Sequence, residues 1–227
     1  MERFYAGGAK APRGAWHYLR RADGTGDEEA LPASDRSQNA YSWSPNNELA
    51  IYTRDLTGGD RDIAVLSGDN NWSRRDILTT PANERSPAFS PGGTWLAYAD
   101  DSSGADEIDV IRYPELDEVH VISVGGGRAP AWSADGCELF YIGTEHMMAV
   151  AIEFEPEFLP GPPTKLFSLS PYARETTSAS GSREYDVSED GRFLMMRLPD
   201  PDSSGSTYIT VVLNWLEELK ELLPGGR

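Results

Sequence analysis

Asn39, Arg85, Arg128 and Arg183 each stand four residues ahead of a large apolar residue, namely Trp43, Phe89, Trp132 and Val187. A guanidinium offers a planar fork of donors that fits a carboxylate or a phosphate. Three arginines at equivalent places, in a chain of net charge −17, point to an anion site. Its ligand would be a carboxylate, a phosphate or an acidic peptide tail. The competing reading is local pairing with acids such as Glu84 or Glu184. A second cluster is Asp100-Asp101-Ser102-Ser103-Gly104-Ala105-Asp106-Glu107. Hard oxygens at this spacing make Asp100, Asp101 and Asp106 candidate Ca²⁺ ligands. The spacing is not that of an EF-hand, and an ordinary polar hairpin accounts for it as well. No other cofactor is expected.

Nothing points to an activated nucleophile. There is no Gly-x-Ser-x-Gly, and His17, His120 and His146 lie far apart. Cys137 opens a predicted inner strand, where a small buried thiol is expected. Paired carboxylates single nothing out among 37 acids. The acidic balance excludes nucleic acid as a partner and disfavours anionic membrane surfaces. One cysteine allows no disulfide framework. No run approaches the ~18 apolar residues of a membrane-spanning helix. Met1-Glu2-Arg3-Phe4-Tyr5 lacks the layout of a signal peptide. The chain is therefore expected to be soluble where it is made, without membrane insertion.

The elements that must position these residues are repeated. Tyr41–Tyr52, Pro87–Tyr98, Pro130–Tyr141 and, more weakly, Tyr185–Met195 share one pattern. Counted from Trp43, Phe89, Trp132 and Val187, the periods are 46, 43 and 55 residues. A period of roughly 40–50 residues marks propeller blades, each a four-stranded sheet. A short strand runs into a Ser-Pro-x-Gly type turn, and a second strand follows. In that strand Trp95 and Ala97 face one way and Leu96 and Tyr98 the other, so both faces are apolar.

Further strands are predicted at Asp62–Leu66, Arg75–Leu78, Glu107–Arg112, Val119–Ser123, His146–Phe154 and Thr164–Leu169. Ahead of the first repeat, Glu2–Ala6, Trp16–Arg20 and Glu28–Leu31 read as a blade without its innermost strand. At the far end, Tyr208–Leu213 reads as a strand and Asn214–Leu223 as a short amphipathic helix stopped by Pro224-Gly225. Ser170–Ser182 reads as a long polar insertion.

The expected fold is all-β, a propeller of about five blades with the first and last incomplete and a short C-terminal helix. Its parts are 1–34 (partial blade), 35–80, 81–125 and 126–170 (blades), 183–214 (partial blade) and 215–224 (helix).

These residues resemble the TolB-like, WD-type propeller repeat, roughly Ser-Pro-Ala-Phe-Ser-Pro-Asp-Gly-x-x-Leu-Ala-Tyr. The resemblance runs from about Trp16 to Leu223 and is best over Arg85–Arg112. Asn46-Asn47 stands where the pattern has Asp-Gly, and Gly92-Gly93 replaces it in the second copy; both tolerate positive φ. Ile209–Leu219 looks like the C-terminal end of bacterial sensors that carry a kinase domain before the propeller. No kinase motif is present here. With the repeated arginines and no catalytic motif, the expected function is a non-catalytic module binding a protein or small anionic ligand at the channel mouth. If cut from such a sensor the chain would be periplasmic or otherwise extracytoplasmic, and if free-standing cytoplasmic. The enzyme alternative is a hydrolase or lactonase-like activity on a propeller face, with or without the help of a metal ion. A further alternative is a homo-oligomer, in which free blade edges pair with a second copy.

Overall fold

A computed structural model of the chain describes residues 7–10, 15–32, 34–55, 59–155, 157–170, 172, 183 and 185–196. The expected strands Glu2–Ala6 and Tyr208–Leu213, the helix Asn214–Leu223 and nearly all of Ser170–Ser182 lie outside these residues.

The first sheet joins β1 (Gly7–Lys10), β2 (Ala15–Leu19) and β3 (Glu29–Ala30) in that order. The second joins β4 (Arg36–Trp43), β5 (Glu48–Asp55), β6 (Arg61–Ser67) and β7 (Ser73–Leu78). One 3-10 turn, Gly68–Asn70, links its last two strands. The third joins β8 (Glu84–Phe89), β9 (Trp95–Asp100), β10 (Glu107–Arg112) and β11 (Val119–Val121). The fourth is built from β12 (Arg128–Trp132), β13 (Glu138–Ile142), β14 (His146–Glu153), β15 (Leu159–Pro160) and β16 (Thr164–Ser168), with β15 and β16 both on β14. β17 (Tyr185–Val187) and β18 (Phe193–Met195) form a last pair. All pairings are antiparallel between neighbours in sequence apart from β14 with β16, as a meander requires. No helix among the described residues is long and apolar enough to cross a membrane.

The alternation read from the sequence sets the packing. All six residues of β9 are buried. Trp95, Ala97 and Ala99 join Leu139, Tyr141, Val150 and Ile152 of the fourth sheet in one core. Leu96 and Tyr98 join Ala50, Ile63 and Val65 of the second sheet in another. β5 and β6 divide in the same way, since Leu49, Ile51, Ala64 and Leu66 face a core with Leu19 and Leu31 of the first sheet. Each central sheet is thus sandwiched between two neighbours. Burial of one such large side chain is worth about 1.5–3 kcal/mol.

The turns repeat as exactingly as the strands. Ser90, Ser133 and Ser188 each accept, at the carbonyl, the amide of a glycine three residues on: Gly93, Gly136 and Gly191. The glycines have φ of 73°, 78° and 79°. In the first copy Asn47 takes this left-handed place with φ 58°, which an asparagine tolerates better than most side chains. The serine hydroxyl caps the next strand, accepting the Glu48, Trp95, Glu138 and Arg192 amides from Ser44, Ser90, Ser133 and Ser188. Gly93 is needed for a second reason: a Cβ there would meet the Pro45 ring of the preceding turn at 2.8 Å.

Several strands differ from expectation: β1 lies where none was expected, and most others shift by one or two residues at an end. β11 stops at Val121 rather than Ser123, because Ser123 turns its hydroxyl inward to accept the Ile108 amide. β15 is additional; it is two residues long and contains Pro160, so it has almost no sequence signal.

Candidate functional site

The inner strands of four sheets converge. β4 and β5 lose register between Ala40 and Ser42, β8 and β9 between Arg85 and Ala88, and β12 and β13 between Arg128 and Ala131. In the last two, Ser86 and Ala129 carry a φ of 53° and are followed by Pro87 and Pro130. A proline has no amide to give the ladder, so a bulge is the natural accommodation. Single side chains then tie each strand to the next. Ser42 Oγ accepts the Phe89 amide at 3.0 Å, Trp132 Nε1 donates to the Ala88 carbonyl at 3.0 Å, and the Tyr185 hydroxyl donates to the Ala129 carbonyl at 2.8 Å. Burial pushes the Tyr185 hydroxyl pKa far up, so it stays a donor.

These strands enclose a cavity of about 630 Å³ whose wall includes Asn39, Tyr41, Ser42, Ser86, Arg183 and Asp186. A second cavity, of about 950 Å³, opens among the Ser-Pro turns and is lined by Trp43, Pro45, Phe89, Pro91 and Trp132. Ser42, Trp43, Ala88 and Arg183 border both.

The four predicted ligand residues fall into two places. Asn39 and Arg183 share the axial cavity. Arg85 and Arg128 are not in its described lining. The Arg85 guanidinium is paired with Asp101 at 3.1 Å and with Asp106, and its side chain is only 17 % exposed. Burial pushes the Asp101 carboxyl up, but the Asn83 amide and side-chain donors, with Arg85 and Arg61, more than reverse this and leave it below its ordinary value. For Asp106 burial wins, and the attraction of Arg85 and Arg128 does not restore the ordinary value. Arg128 therefore sits in the field of the same hairpin. Arg183 pairs with Asp186 at 3.0 Å and is 37 % exposed, with its guanidinium 5.9 Å from the Tyr185 ring centre.

The candidate calcium ligands are otherwise engaged. Asp100 accepts the Ser102 amide at 2.8 Å and the Ser102 hydroxyl, while Asp101 and Asp106 hold Arg85. Among the described residues no group of three His, Cys, Asp or Glu side chains is placed to hold a metal ion. Cys137 corrects an expectation: it is exposed, not buried. It ends the turn before β13, where its amide donates to Asp135 Oδ1 at 3.0 Å, and the apolar alternation begins only at Leu139.

Tyr41, Ser42, Ser86 and Asp186 were not singled out from the sequence. A usable signal was present, since Ser86-Pro87 and Ala129-Pro130 fall at one repeat position within the inner strand.

No family model matches the chain, and no curated protein matches it. Solved structures do. A TolB candidate from Agrobacterium tumefaciens aligns over 73 % of this chain and 61 % of its own, with 18 % identity and a TM-score of 0.56. TolB from Acinetobacter baumannii aligns over 83 % of this chain and 44 % of its own, with 16 % identity and a TM-score of 0.60. An oligogalacturonate lyase in complex with manganese aligns over 82 % of this chain and 55 % of its own, with 13 % identity and a TM-score of 0.54. The chain thus spans less than two thirds of the length of each. At these identities the likeness concerns the fold, and the sandwiched four-stranded sheets agree with it: the chain has a β-propeller fold of the TolB-like kind.

Proposed function

We propose that this propeller is a non-catalytic binding module that takes an anionic group, from a small molecule or the acidic tail of a protein, in its axial cavity. Asn39 and Arg183 stand in its wall, whereas Arg85 is paired with Asp101 and Asp106 and Arg128 lies in the field of the same hairpin. The observation that carries the reading is the state of Arg183. It borders both cavities, is more than a third exposed, and among the described residues is paired with one exposed carboxylate. Such a pair is worth about 0–1 kcal/mol, so an incoming carboxylate can replace Asp186 at little cost. Asn39 adds an amide donor, and Tyr41 and Trp43 supply flat apolar surface.

Titration with tetraglutamate, followed through tryptophan emission, tests this because Trp43 borders both cavities. Saturable binding that weakens by about tenfold or more in Arg183→Ala supports the module. Equal binding by the variant overturns it.

A further inference from the structure

Away from the axis, β9 and the loop after β14 build an aromatic cleft. Trp95 opens β9, and Phe154 and Phe158 come from the loop between β14 and β15. The Trp95 and Phe158 ring centres are 4.2 Å apart, and Phe154 stands edge-on to Phe158 at 5.8 Å. His120 backs this pair, 5.7 Å from Trp95 and 4.7 Å from Phe158, with its Nε2 2.8 Å from Glu118. Trp95 and Phe158 are buried, whereas Phe154 is 39 % exposed beside the opening. The cleft holds about 400 Å³, within the ~300–1,000 Å³ of small-molecule sites.

The facing wall is the turn before β13, and it is negative. The Asp135 carboxylate accepts the Ser133 hydroxyl at 2.7 Å and the Cys137 amide at 3.0 Å. Those donors hold its carboxyl below the usual range, so it is ionised at neutral pH. Among the described residues the lining contains this one carboxylate and no lysine, arginine or histidine. Glu153, Glu155 and Glu157, all exposed, alternate with the aromatics along the loop.

Aromatic faces carry the negative side of the ring quadrupole and attract cations. An anion would meet Asp135 and a chain of net charge −17. A primary ammonium needs three acceptors placed around one nitrogen, whereas the side-chain acceptors among the described lining are Asp135 and the Ser90 and Thr94 hydroxyls, and Ser90 Oγ already accepts the Trp95 amide. A quaternary ammonium has no N–H to satisfy and gains from both the rings and the carboxylate. We infer that the cleft between Trp95, Phe154, Phe158 and Asp135 is a binding site for a small organic cation bearing a quaternary ammonium group. It is separate from the axial cavity, and the two readings stand or fall independently.

Choline and its uncharged carbon isostere 3,3-dimethylbutan-1-ol test this by amide chemical-shift titration of the full chain. The expected result is saturable choline shifts at Thr94, Trp95 and Gly136, with the isostere weaker by about tenfold. Phe154→Ala should weaken choline by about two- to fivefold, and Asp135→Asn should weaken choline while leaving the isostere unchanged. Phe154 is exposed enough for its variant to keep the wild-type unfolding midpoint, which is measured alongside. Equal affinity for the isostere overturns the proposal, as do an absence of saturable choline shifts or shifts confined to Ser42 and Ser86 in the axial cavity.

Discussion

Arg85 and Arg183 hold the same place in the repeat and lead opposite lives. The sheet β8–β11 is wedged between two others, and its hairpin supplies Asp101 and Asp106 to close on Arg85. The pair β17–β18 buries Tyr185 but leaves Leu194 74 % exposed, and among the described residues Arg183 meets one carboxylate, Asp186, and the Tyr185 ring. The backbone position of a repeat residue is set by the turn and bulge that precede the strand. Whether its charge is spent or available is set by which acids the neighbouring hairpin carries.

Substitutions can break this contrast, beginning with the largest effect. Leu96→Ala removes a fully buried side chain from the core shared with the second sheet and should cost about 2–5 kcal/mol in urea unfolding. Leu194→Ala should stay within about 0.5 kcal/mol. Equal costs would mean that the two sheets are not packed as differently as described.

The next contrast is in titration. Glu84 is buried, with Oε1 bound to the Thr80 amide and hydroxyl and Oε2 without a partner among the described residues. Burial pushes its carboxyl up to about 7; the Thr80 donors oppose this, and the Asp100 and Asp62 charges add to it. A folded-state value above the unfolded 4.5 means that the folded chain binds the proton more tightly. This contribution is present below pH 4.5 and is lost as pH rises through about 7. Glu84→Gln should therefore gain stability relative to wild type over that window, on the order of 1–3 kcal/mol. A constant difference across the window would contradict the burial of this carboxyl.

The smallest contrast concerns the arginines themselves. Arg85→Ala strands two half-buried carboxylates and should cost about 1–3 kcal/mol, whereas Arg183→Ala breaks an exposed pair worth about 0–1 kcal/mol. The reverse order would mean that Arg183, not Arg85, is the structural member of the set.

Much of the fold was readable because it rests on local rules. The two-faced alternation of β9, the Ser-Pro turns and the left-handed places of Asn47 and Gly93 follow from residue type and spacing. β10 matches its expected span Glu107–Arg112 residue for residue. The site was less readable, because it depends on contacts between segments far apart in sequence. Nothing local says that Asp101 and Asp106 turn back to Arg85, or that Arg85 and Arg128 fall outside the described cavity lining. Trp95, Phe154 and Phe158 likewise meet only because β9 packs against the sheet that follows. Cys137 was misplaced by a single position, since the strand begins one residue later than its apolar pattern suggested.

On the proposed function, the charge available to a ligand is that of Arg183. The direct measurement is tetraglutamate affinity for wild type, Arg183→Ala and Arg85→Ala under one buffer and salt. Arg183→Ala is expected to lose about tenfold or more, while Arg85→Ala, once corrected for its unfolded fraction, binds within about twofold of wild type. Strong loss in Arg85→Ala with Arg183→Ala unchanged would contradict it.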